Sequence, residues 1–100
     1  MVQATTPTFI LTLPDTVDLS EVSHLYFTIE QNKTIVKKQD KDLTVDGQTV
    51  QVFLSQQETL RFKNGTANIQ LNWTYENGSR GCSNIVPVHV DENLLKEVVE

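Results

Sequence analysis

The chain has 100 residues, one cysteine and a formal net charge of -5, with 38% hydrophobic and 21% charged residues. That length suits one domain able to bury roughly two-thirds of its unfolded surface, and the composition excludes a low-complexity or disordered chain. Eight basic residues against 13 acidic ones disfavour a nucleic-acid partner, because affinity for phosphates rests on Lys and Arg.

Cys82 stands alone, so no intrachain disulfide forms and a reducing compartment of synthesis is expected. Met1 to Pro7 lacks the basic and apolar regions of a signal peptide, and no apolar run approaches the roughly 18 residues that span a bilayer. The expectation is a soluble chain made in the cytoplasm, with no membrane partner. In that setting the four Asn-x-Ser/Thr triplets at Asn32, Asn64, Asn72 and Asn77 are chance products of a surface rich in Asn and Thr.

In chain order, Thr8 to Leu13 is rich in β-branched and aromatic residues and predicts a first strand, closed by Pro14, which lacks an amide donor. Thr16 to Ser23 reads as a loop whose Val17, Leu19 and Val22 cover an open end of the core. Leu25, Phe27 and Ile29 alternate with Tyr26, Thr28 and Glu30, the period of a strand with one buried face. Asn32-Lys33 makes the next turn, and Thr34 to Lys38 is a short return strand. Leu43 and Val45 open a further hairpin through Asp46-Gly47, answered by Val50, Val52 and Leu54.

Ser55 and Glu58 have the spacing of a helical capping box, so one short helical turn is expected near 55–62. From Thr66 to Glu76 the alternation is strict, with Ala67, Ile69, Leu71, Trp73 and Tyr75 on one side and Asn77-Gly78 as a turn. A seventh strand is expected from Gly81 to Val90, with Val86, Val88 and Val90 on one face and Pro87 demoting part of it to an edge or bulge. Residues 91–100 carry apolar pairs at helical spacing, yet ten residues are marginal as an isolated helix. They read as a short acidic amphipathic helix or frayed tail beyond a single domain at 1–90. About seven short strands with regular turn signals match an immunoglobulin-like antiparallel β-sandwich, an all-β fold.

Little in this pattern points to catalysis. The two histidines, His24 and His89, lie far apart with no glycine-rich elbow near either, and they read as surface residues. Cys82 reads as a small buried hydrophobe rather than a nucleophile served by His89. Asp40, Asp42 and Asp46-Gly47 miss the calcium-loop spacing, because Val45 takes the glycine position. One cysteine and two separated histidines cannot make a zinc site. No cofactor or metal is therefore expected. Lys33, Lys37, Lys38 and Lys41 cluster, but acidic residues lie among them and no aromatics interleave for base stacking. Lysines on a short edge strand guard against edge-to-edge aggregation. Trp73 shares parity with Ile69 and Leu71 and belongs to the core, leaving Tyr26 and Phe53 as the surface aromatics on which a sugar would stack.

The opening Thr5-Thr-Pro-Thr-Phe-Ile-Leu-Thr-Leu-Pro14 and the run Leu54-Ser-Gln-Gln-Glu-Thr-Leu-Arg-Phe62 resemble a family of uncharacterised proteins of about a hundred residues encoded by phages and prophages of Gram-positive gut bacteria. The resemblance covers nearly the whole chain, although the Asn77 to Gly81 hairpin and Cys82 fall outside it. It implies a bacterial cytoplasmic origin and association with a virion. It carries over no catalytic or binding residue.

The function expected from residues and resemblance together is a non-enzymatic structural or adaptor protein of a phage particle. Its partner would be another virion protein or a second copy of itself, in a homo-oligomer. The candidate contact residues are Lys37 and Lys38 on the basic strand and Leu94, Leu95, Val98 and Val99 in the tail. The alternative is a β-sandwich module that binds carbohydrate or a host surface.

Overall fold

The structure, a computed structural model, describes residues 1–99. Eight strands form two antiparallel sheets. The smaller sheet contains β1 (Thr8–Thr12), β4 (Leu43–Asp46) and β5 (Thr49–Phe53), in the order β1-β5-β4. The larger contains β2 (Val22–Gln31), β3 (Thr34–Gln39), β6 (Gly65–Tyr75), β7 (Arg80–Cys82) and β8 (Val86–Val90). Its order is β3-β2-β6, with β7 and β8 following one another along the far side of β6. The chain is thus an all-β sandwich.

Period-two alternation decides which face of each strand meets the other sheet. Leu25, Phe27 and Ile29 of β2 pair with Trp73, Leu71 and Ile69 of β6, and all six are buried. Val50 and Val52 of β5, followed by Leu54, supply the opposite wall with no exposed surface. Phe9 of β1 stacks on Phe27 of β2 at a ring separation of 6.0 Å, tying the two sheets together at one end. Val17, Leu19 and Val22 pack against the core as expected, with a 3-10 turn at Leu19–Glu21 within that loop.

The capping box forms as the sequence dictates. Ser55 Oγ accepts from the Glu58 amide, and Glu58 Oε1 accepts from the Ser55 amide at 2.9 Å, starting α1 (Gln56–Thr59). Thr59 is fully buried, and its hydroxyl donates to the Thr5 carbonyl at 2.9 Å. The Gln31 side chain both donates to the Lys63 carbonyl and accepts from the Lys63 amide, fixing the chain where it turns into β6.

Two expectations are corrected, and the choice between helix and tail at the C-terminal end is decided. The run from Gly81 to Val90 is two strands, because the Ser83 hydroxyl takes the Leu71 amide of β6 and the chain leaves the sheet before β8 begins. Of its valines, Val90 is buried, Val88 half-buried and Val86 exposed. Cys82 is exposed rather than buried, because it lies opposite Asn72, on the outward face of β6. Residues 91–99 form no helix. Asp91 instead bridges Val2, Asn93 bonds Gln3, and the Val99 backbone bonds both ends of the Gln56 amide, at 2.7 and 2.8 Å. So short a helix has little stability of its own, and these side-chain and backbone partners hold the segment to the sandwich instead.

Candidate interaction surfaces

Two of the proposed contact residues share the edge strand β3. Lys37 is exposed and lies opposite Thr28, on the outer face of the larger sheet. Lys38 has the opposite parity and turns inward, its Nζ 2.9 Å from Glu58 Oε2, so it is an internal tether to α1 and not a free contact. Glu58 is therefore held twice, by the Ser55 amide and the Lys38 ammonium. Burial pushes its pKa up, but those two partners outweigh it and leave the group below the ordinary carboxylate range.

The four apolar residues lie in a tail whose Val99 is bonded to the same helix. Leu94 is 96% exposed, and Leu95, Val98 and Val99 are each about half exposed. Gln56 of α1 grips Val99, while Glu58 of α1 grips Lys38, so α1 is the element on which the lysine strand and the tail converge. The sequence separation of these segments hides that meeting point.

A second apolar region has no counterpart among the candidate residues. Ile10 of β1 is 63% exposed and Phe53 of β5 is 53% exposed. Both lie on the outward face of the smaller sheet, Phe53 directly opposite Thr8. Beside β1, between the sheets, opens a cleft of about 450 Å³. Leu11, Leu13, Val17, Leu71, Trp73 and Val86 supply its apolar walls, and no charged residue lines it. The Trp73 indole is buried under Gly81, and its N–H has no hydrogen-bond partner among the described residues. The signal for this region was the uncharged composition of Thr8 to Leu13. What the sequence lacked was any sign that β1 would be an edge.

The polar candidates stay apart. His24 Nδ1 lies 3.2 Å from Asp40, whose carboxylate also accepts the Leu25 amide. That amide first, and His24 second, hold the Asp40 carboxyl below its ordinary pKa. His89 lies 3.2 Å from Asp91. Along β6, the position opposite Cys82 is Asn72 and the position opposite His89 is Thr66, so about 20 Å of strand separates the pair. Among the described residues no three His, Cys, Asp or Glu side chains converge as a metal site, and no helix is long and apolar enough to cross a membrane.

Trp73 is buried, Tyr26 is half-buried on the outside of the larger sheet, and Phe53 lies on the smaller one, so the three aromatics make no common platform. Comparison of the chain with family models, curated proteins and solved structures finds no match.

Proposed function

We propose that this chain is a non-enzymatic structural or adaptor protein of a phage or prophage particle, acting by contact with another virion protein or with a second copy of itself. The observation that carries the reading is the amount of large apolar surface a sandwich of this size leaves uncovered. Ile10, Phe53, Ile85, Leu94, Leu95 and Val98 are all more than half exposed although the core is well filled. Single exposed apolar residues are ordinary, but groups of them on one sheet face and along one tail mark contact surfaces. The resemblance of Thr5 to Pro14 and Leu54 to Phe62 to phage proteins supplies the virion context.

Quantitative mass spectrometry of particles purified from a host strain carrying the gene tests this directly. The chain is expected in fixed stoichiometry with the major virion proteins. Recovery only in the soluble fraction, at a level that varies from one preparation to the next, overturns the reading.

A further inference from the structure

Four strand edges of the sandwich are open, and three are blunted. β3 carries Lys37 and Lys38. β4 is four residues long, ends in Asp46 and follows the charged turn Asp40–Asp42. The far edge of the larger sheet is broken between β7 and β8 and contains Pro87. Short strands, charges and prolines are the usual means of preventing edge pairing. β1, Thr8-Phe-Ile-Leu-Thr12, has neither a charge nor a proline within its five residues.

The hydrogen-bond register gives the direction of the free groups. Leu13 donates to Gln48, and the Pro7 carbonyl accepts from Leu54, so the odd-numbered peptide groups of this strand face β5. By the alternation of an antiparallel ladder, the N–H and C=O groups of Thr8, Ile10 and Thr12 face outward, along an edge that no strand of the chain covers.

We propose that β1 pairs antiparallel with β1 of a second copy, about a two-fold axis through Ile10, joining the two small sheets into one continuous sheet. This inference rests on the contact-module reading and names one of its surfaces. A two-fold interface must be self-complementary, and this strand is. Reversing Thr-Phe-Ile-Leu-Thr sets Thr8 against Thr12, Phe9 against Leu11 and Ile10 against itself. That register makes about six new backbone hydrogen bonds, all from the outward-facing groups.

Of the edges, β1 is the one where charge least opposes this occupant. Each copy carries a net charge of -5, so two copies approach at least cost where charge is absent, and neither β1 nor the cleft beside it contains a charged side chain. The inward parity of β1 places Phe9 of the second copy opposite Leu11, at the mouth of the cleft walled by Leu13, Trp73 and Val86.

Sedimentation equilibrium and concentration-dependent hydrogen exchange on the full chain test this. A monomer–dimer equilibrium is expected, with the amides of Thr8, Ile10 and Thr12 gaining protection as concentration rises and those of Phe9 and Leu11 protected throughout. Ile10→Lys places like charges opposite one another and is expected to weaken the dimer by about tenfold or more, with an unchanged circular dichroism spectrum. If Ile10→Lys does not fold, the double substitution Thr8→Lys with Thr12→Lys, which also sets lysine against lysine across the axis, makes the same test. A monomer at all concentrations, a dimer indifferent to these substitutions, or a dimer lost on removing residues 94–100 instead overturns the proposal. A chain that is monomeric in solution yet stoichiometric in particles overturns the edge pairing alone and leaves the adaptor reading standing.

Discussion

The two sheets end in edges of similar length and opposite character. β3 pairs with β2 on one side and meets solvent on the other, and it carries one lysine on each of its faces. Lys37 keeps the outer face hydrated, whereas Lys38 points toward the core side and is neutralised there by Glu58. An inward-pointing charge held by a partner makes a strand costly to pair with another chain, because pairing would have to bury further an ion pair that is still partly hydrated. β1 pairs with β5 on one side and presents an uncharged, β-branched edge on the other, beside an uncharged cleft. The contrast teaches that edge protection is a property of individual strands and not of the fold. Where it is missing from one edge while its neighbours have it, that edge is available for contact.

The far edge of the larger sheet extends the comparison. There the edge strand β7 approaches the core so closely that a Cβ added at Gly81 would overlap Trp73 Nε1. Gly81→Ala is therefore expected to cost about 1–3 kcal/mol in urea denaturation, because the buried indole would have to shift from its place in the core. A loss within experimental error would mean that β7 is loosely held and that a second edge, besides β1, is free to rearrange.

A smaller effect is expected at the β3 guard. Because the folded Glu58 pKa lies below the ordinary value of 4.5, its contribution is complete above that value and is lost as the pH falls through the lower, folded one. Wild-type stability is expected to fall in that acid range, and Glu58→Gln to flatten that part of the profile at a cost of up to about 1 kcal/mol at neutral pH. An unchanged acid profile in the Glu58→Gln variant would break the claim that Glu58 tethers Lys38.

The smallest stability effect belongs to Lys37→Val, expected within about 0.5 kcal/mol because the residue is exposed. Its consequence should appear in light scattering on heating, where removal of the outer charge makes β3 resemble β1 and promotes association. If scattering does not change, lysine is not what separates the two edges.

Much of this was legible in the residues. The alternation at Leu25 to Ile29 and Ala67 to Trp73 named the core side chains that the structure buries, and Ser55 and Glu58 named the cap that starts α1. These are local signals, in which side-chain period or reach to the next turn is set by the backbone itself. Cys82 was misread because its environment depends on register: it lies opposite Asn72 on an outward face, which its own neighbours do not reveal. Whether residues 91–99 form a helix or a tail is open in the sequence for the related reason that their partners, Gln3 and Gln56, are distant in the chain and compete with the local helical pattern.

The sequence by itself determined that this is an all-β chain, which side chains make its core and, to within a residue (Gly47-Gln48 rather than Asp46-Gly47 joins β4 to β5), where its hairpins turn, because periodicity and turn chemistry act over two to five residues. Only the tertiary structure decided which strands are edges, that Lys38 is spent on Glu58, and that the apolar tail and the lysine strand meet at α1. An edge is defined by the absence of a neighbour, and the presence or absence of a neighbour is settled only when strands far apart in the chain choose their partners.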